Sequence, residues 1–343
     1  MALSQRNGRR VRVRYSFKND QPQPVELWLS LPPDGVGQVV EDVCIEPLGV
    51  IRARRADFTG RNEVAYLVLD PGVRIDMTAL VQTQRRLLSD VATDRTIPTR
   101  LAPEERRWFL RSTPLAPADG IVAAEAIRIA HAADAEDDYA RAWALFSELA
   151  LNYVYVYPPA RRGATAMLET RAGDCGEFAF LFSAWCRSLG IPARSIVGTW
   201  ARGKTQAHVW NEFHIDGVGW IPADPSMAAL AHYHPSQIWL MGRRPGPWQR
   251  FFGALPGDRV AFSIDADMPL DPPFAPVGEG GEPDIEMAGR PLRWGRDTLG
   301  GAAPYLQPYA FSPLGVWGSD QAAAGSGLGD GWPASRALWT SVR

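Results

Sequence analysis

The sequence predicts an α+β protein in which a small antiparallel β domain precedes a core of helices followed by an antiparallel sheet. Residues 10 to about 90 run in short alternating stretches separated by turn clusters. Apolar residues then recur at helical spacing between about 119 and 189, and two strand-like runs flank the tight-turn dipeptide Asp216-Gly217. With 343 residues the chain has length for two or three domains and a sizeable core.

Residues 1–90 read as a β-sandwich-like domain. "VRVRYSF", "PVELWLSLP", "VAYLVLD" and "MTALVQTQ" are its strands, and "NDQPQP", "PPDGVGQ" and "DFTGRN" its turns. Residues 91–118 are rich in Pro and Arg and read as a linker with room for one short helix and a solvated basic face. Helices are expected over 119–133 and 136–156. In the second, Tyr139, Trp143, Phe146, Ala150 and Tyr153 share helical spacing, the pattern of core packing and not of a cofactor site.

A third helix is expected over 175–189, with Cys175, Phe178, Ala179, Phe182, Trp185, Cys186 and Leu189 on one buried face. Asp174 with Glu177 makes a capping box at its start, and Gly190 followed by Ile191-Pro192 stops it. Strands over 207–215 and 220–223 fold back on each other at Asp216-Gly217, which puts His208, Trp210, Glu212 and His214 on one face. Asp224 then returns to within a few residues of the level of His208, without the register being fixed closely enough for a direct pair. "RVAFSIDADM" reads as a last strand. Residues 269–343 are Pro-, Gly- and Ala-rich and are expected to lack regular structure for the most part.

Composition narrows the function. A formal charge of −2 and a pI near 6.2 leave no electrostatic footprint for nucleic acid. No run approaches the ~18 apolar residues of a spanning helix, and the start "MALSQRNGRRVRVRYSF" passes into strand-like alternation, so no membrane partner and a cytoplasmic location are expected. Cys44, Cys175 and Cys186 form neither a disulfide framework nor a CxxC zinc pattern, in keeping with a reducing compartment. No acidic calcium loop is evident, and His232 and His234 lack a third ligand, so they read as surface or packing residues and no metal or cofactor is expected.

Cys175 is either a core filler or a nucleophile. In the first turn of a helix, unpaired N–H groups and the positive end of the macrodipole favour a thiolate, whereas Cys186, on the same helix without a cap, reads as inert core. A cysteine at a helix start, a histidine on a later strand and an aspartate across a hairpin are the parts of an acyl-transfer site. The thiolate attacks a carbonyl, the imidazole takes and returns a proton, and the carboxylate orients the imidazole. The Cys175 backbone N–H is then a donor to the oxyanion.

The blocks "GDCGEFAFLFSAWCRSLGIPAR" and "AHVWNEFHIDGVGWIPADPS" resemble the transglutaminase-like (papain-related) cysteine enzyme superfamily over roughly residues 120 to 240. The segment around "LSLPPDGVGQVV" likewise resembles the β-rich region ahead of this core in bacterial members. The resemblance implies a papain-like catalytic core over 119–268, with Cys175 as nucleophile, His208 as base and Asp224 as orienter. Cys186 and Ser188 vary the helix end, and Glu177 stands where the family commonly has Asp after the nucleophile. A hydrolase acting on a peptide, protein or small amide is the expected function, with water as acceptor because no amine-recruiting feature is identifiable. Acyl transfer to an amine, as in a transglutaminase or an amide synthase, and an inactive interaction module are the alternatives. Trp200, Trp210 and Trp220 read as walls of an amine channel or as core beneath the sheet.

Overall fold

A computed structural model of the chain describes residues 8–19, 24–35, 37–57, 59–89, 99–157, 161–201, 207–241 and 243–269, with single residues and short strands besides. In chain order the strands are β1 (Arg10–Lys18), β2 (Val25–Leu31), β3 (Gln38–Glu46), β4 (Ile51–Ala56), β5 (Glu63–Leu69), β6 (Arg74–Thr83) and β7 (Arg86–Leu87). Then come helices α1 (Pro103–Phe109), α2 (Gly120–Ala132) and α3 (Asp138–Asn152), strand β8 (Val154–Tyr155), α4 (Ala164–Thr170), β9 (Ala172–Gly173) and α5 (Cys175–Ser188). Strands β10 (Ala193–Trp200), β11 (Ala207–Ile215) and β12 (Gly219–Ala223), helices α6 (Pro225–Tyr233) and α7 (Pro235–Leu240), and strands β13 (Ala254–Leu255) and β14 (Arg259–Ile264) complete the main body. An N-terminal β-rich region thus precedes a mixed core with antiparallel strands, the α+β class expected.

The chain forms two compact units. The first comprises Met1–Gln84, Val197–Ala207 and Gly257–Arg343, and the second Arg85–Ile196 and His208–Pro256. In the first unit β1, β6 and β3 form one sheet and β2, β5 and β4 another, every pairing being antiparallel. Alternation explains the core: Ile75, Met77, Ala79 and Val81 of β6 are buried in a cluster with Val11, Val13, Leu27, Leu29, Leu31, Leu67 and Leu69. β3 and β4 escaped the sequence reading because both are edge strands with broken periods. β3 carries a bulge between Glu41 and Cys44, with Asp42 at φ +53°, and β4, "IRARRA", is mostly exposed and charged.

β14 falls in the first unit, where two buried amides of that unit hold it. Gln38 donates to Ala261 O at 3.0 Å and accepts from Ala261 N–H at 2.8 Å, while Asn62 does the same for Ile264 at 2.8 and 2.7 Å. Each side chain completes the backbone pairing of a buried strand, where an unmade bond would be costly. Tyr309–Pro313 pairs with β2 and Thr340–Ser341 with β1, so the tail contributes short strands to this unit. The start of the expected linker, 91–98, lies outside the described residues, as do 202–206 and most of 272–343.

The second unit centres on α5, which packs against α2, α3, α4 and α6. Every residue from Cys175 to Arg187 is buried, not one face alone as the spacing predicted, because helices enclose the sides that the sheet leaves. β12, β11 and β10 lie side by side, and the hairpin pairs Asn211 with Ala223 and Ile215 with Gly219. At its far end α5 is closed by Gly190 at φ +78°, with Gly190 N–H on Arg187 O at 3.0 Å and Ile191 N–H on Cys186 O at 2.9 Å, while the Arg187 guanidinium ties the helix to β10 by donating to Ala193 O at 3.0 and 2.9 Å. Trp143, Phe146 and Phe252 form an aromatic cluster in this unit; Tyr139, expected in the core, is exposed at its edge against Phe252.

Phe182 joins three elements of that core, its ring centroid lying 6.3 Å from Phe146 of α3 and 6.0 Å from Phe213 of β11. Phe182→Ala is expected to lower unfolding free energy by about 3–5 kcal/mol, measured by urea denaturation.

Candidate active site

The site is built at the start of α5. β8 and β9 pair in parallel, Val154 with Ala172 and Tyr155 with Gly173, and bring the chain to Asp174. Gly173 is required for close approach, since a Cβ there would sit 2.6 Å from Glu177 Cβ and 2.8 Å from Met167 Sδ. The capping box is present: Asp174 Oδ1 accepts from Gly176 N–H at 2.7 Å, and Glu177 Oε2 accepts from Asp174 N–H at 3.3 Å.

The cap carries a cation that the sequence did not reveal. Arg162 Nη1 lies 2.8 Å from Asp174 Oδ2 and 2.8 Å from Glu177 Oε2, in a cluster almost closed to solvent. Burial drives the Asp174 carboxyl upward, but the Arg162 charge and hydrogen bonds from Glu177 and Gly176 outweigh it and hold Asp174 below the usual carboxylate range. Burial pushes Glu177 up to about 8; Arg162 opposes that and the Asp174 charge adds to it. These opposite shifts favour one proton between the two carboxyl groups, leaving one negative charge for Arg162 to balance.

Cys175 is 8% exposed, and its sulfur accepts a hydrogen bond from the Val209 backbone N–H. Burial, then the neighbouring Asp174 charge, raises its thiol well above the ordinary value, and the Val209 N–H only partly offsets them. Burial and the two neighbouring carboxyl groups thus oppose the thiolate that the helix start favours. Cys186 is fully buried with its thiol pushed up by burial, the inert core residue expected, while Cys44 is exposed.

His208 and Asp224 meet directly. His208 Nε2 lies 2.8 Å from Asp224 Oδ2, with His208 5% and Asp224 0% exposed. The hairpin register carries Asp224 one step past the Asn211–Ala223 pair, close enough for the two side chains to close the gap. Asp224 is also the N-cap of α6: its Oδ1 accepts from Met227 N–H and Ser226 Oγ, each at 3.0 Å, and Pro225 begins the helix. One oxygen is thus committed to the helix and the other to the imidazole, so the carboxylate cannot rotate. Trp210 stacks on the His208 ring, centroids 6.1 Å apart and planes 20° apart.

The other members of the histidine face have different partners. Glu212 is fully buried between Arg86 and Arg194, and Arg194 Nε donates to it at 2.9 Å while lying 3.9 Å above the Trp220 ring. Trp210 and Trp220 are core residues of the second unit, and Trp200 packs in the first unit under Arg259. His214 is buried, and burial pushes it down to about 4. His232 and His234 are exposed, and among the described residues no group of three His, Cys, Asp or Glu is placed to hold a metal ion. Among the described residues no helix is long and apolar enough to cross a membrane. Arg162, Arg86 and Arg194 were missed as partners because their pairings are distant in sequence; only Arg194 lay inside a recognised block.

Comparison with known proteins agrees with this architecture. Residues 126–225 match the transglutaminase-like superfamily model. A candidate cysteine protease from Cytophaga hutchinsonii shares the fold, with a TM-score of 0.53 at 19% identity over 75% of this chain and 82% of that one. The periplasmic domain of TgpA from Pseudomonas aeruginosa aligns over 67% of this chain and 90% of its own at 16% identity, with a TM-score of 0.35, too loose a likeness to argue from. No curated protein matches the chain.

Two expectations follow from the electrostatics. Iodoacetamide at neutral pH should modify exposed Cys44 before Cys175 and leave Cys186 untouched, as peptide mapping would show. Glu177 holds a proton in the folded state that the unfolded chain releases above its ordinary range. Its contribution to stability is therefore complete below about pH 4.5 and is lost as pH rises through about 8. Glu177→Gln cannot titrate, so its stability relative to the parent should rise across that window in denaturation at stepped pH.

Proposed function

Starting from a transglutaminase-like core over residues 126–225, we propose that the second unit is a cysteine-dependent amide or peptide hydrolase working through an acyl-thioester on Cys175. The observation that carries this reading is the 2.8 Å bond between His208 and Asp224, on the strand whose next residue, Val209, hydrogen-bonds the Cys175 sulfur.

Asp224 accepts the proton on Nε2, so Nδ1 is the basic nitrogen of His208. Because the thiol rests neutral, proton transfer from sulfur to Nδ1 accompanies attack: the S–C bond forms as the carbonyl π pair moves to oxygen. The Cys175 N–H, which the cap does not use, donates to that oxygen at the positive end of α5. Collapse expels the amine, which takes the proton from the imidazolium and leaves the thioester. Water then attacks with His208 again as base, and the acid departs as the thiol regains its proton. Asp224 holds the imidazole in one tautomer throughout. A reducing compartment, the cytoplasm of the sequence expectation, would keep the sulfur in the form this chemistry needs.

Water is the acceptor we assign, since Trp210 and Trp220, the residues that would wall an amine channel, are taken up in core packing. Cys175→Ala and His208→Ala should abolish turnover of a peptide-amide library, and Asp224→Asn should retain a small residue of activity, all three variants remaining folded by circular dichroism. Raising a small primary amine should leave free acid as the main product by mass spectrometry. Saturable amide formation at low amine would reassign the protein to acyl transfer, and full activity of His208→Ala would remove the base role.

A further inference from the structure

Asn211 lies on β11, three residues from His208, and its side chain is wholly buried. Its Nδ2 donates to Ala179 O at 2.8 Å and to Ser183 Oγ at 2.9 Å, both on α5. Ser183 Oγ in turn lies 3.2 Å from Ser195 Oγ on β10, and Ser195 Oγ donates to Ala179 O at 3.4 Å. One amide therefore ties the nucleophile helix to the histidine strand, and through Ser183 to the strand beside it. Along α5 the contact begins four residues, or ~6 Å, from Cys175, and along β11 it is ~10 Å from His208.

The remaining contacts between α5 and β11 include apolar packing such as Phe182 against Phe213. Apolar contact resists separation but has little directionality, so it sets axial position poorly. Hydrogen bonds of 2.8 and 2.9 Å fix that position. Stability alone does not explain the residue. Among the described residues Asn211 Oδ1 has no hydrogen-bond partner although it is buried. Leaving that bond unmade is costly, and an apolar side chain of the same size would avoid the cost.

We propose that Asn211 is a positioning residue that sets the register of α5 on β11, so that Cys175 and His208 meet. The inference rests on the reading of those two residues as nucleophile and base. A slip of ~1 Å between such groups costs up to about a hundredfold in rate.

The test is iodoacetamide alkylation of Cys175, followed by peptide mapping from mildly acid to alkaline pH, with melting temperature recorded in parallel. Cys44→Ser serves as background, removing the exposed thiol. The parent should react at neutral pH and His208→Ala only at alkaline pH. Asn211→Leu should melt at or above the parent temperature, yet its neutral-pH rate should fall about ten- to a hundredfold, with its profile displaced toward that of His208→Ala. Ser147→Ala, at another buried oxygen without a partner, should leave the profile unchanged. A parental profile in Asn211→Leu, or a slowing equal at every pH that tracks lost melting temperature, overturns the positioning role. A parental profile in His208→Ala overturns the nucleophile–base reading and this inference with it. If Asn211→Leu does not fold, Asn211→Ala carries the same comparison.

Discussion

The second unit depends on one constraint: α5 is buried along nearly its whole length, and a buried helix must satisfy its polar ends without water. At the start, four N–H groups are left over by the helix, and Asp174 and Glu177 take up two of the first turn's donors. Placing two carboxyl groups there without solvent requires a cation, which Arg162 supplies, and pushes Glu177 toward its protonated form. At the other end the backbone N–H groups of Leu189, Gly190 and Ile191 turn back to the carbonyls of Trp185, Cys186 and Arg187. Midway, Asn211 and two serines supply the polar contact with the sheet.

The same burial shapes the chemistry. A cysteine at an exposed helix start would gain from the macrodipole and rest as thiolate. Here burial and the charge on Asp174 reverse the preference, so the sulfur waits as a thiol. In the hydrolase proposed above, reactivity is supplied by a base at the moment of attack, which makes the placement of His208 more demanding than a resting ion pair would. Asp224 meets that demand by serving two structures at once. Because one carboxylate oxygen caps α6, the other is held toward the imidazole by the fold itself.

Glu212 shows a related economy. Two arginines, from β7 and β10, converge on one fully buried carboxylate of the histidine strand, and Arg194 also covers the Trp220 ring. Breaking such a group by removing one partner would leave an uncompensated buried charge, so it fixes the hairpin more firmly than an exposed pair could. In the first unit neutral amides do the corresponding work, Gln38 and Asn62 completing the pairing of β14.

By itself the sequence determined the α+β class, the four most regular strands of the first unit, the helices at 120, 138 and 175, and the hairpin at Asp216-Gly217. Those features are local: a repeat of two or 3.6, a cap three residues long, a turn dipeptide. It also marked Asp174 with Glu177 as a cap, since both partners lie within one turn. The tertiary structure alone decided the rest. β3 and β4 hide from periodicity because a bulge and an exposed edge erase the alternation. The direct meeting of His208 with Asp224 depended on hairpin register, where a shift of one residue changes the pairing. Arg162, Arg86 and Asn211 acquire their roles only from neighbours distant in the chain. The upward push on the Cys175 thiol is set in the same way. Helix position is written in the sequence, but desolvation depends on how many other elements close over the sulfur, and no local pattern records that.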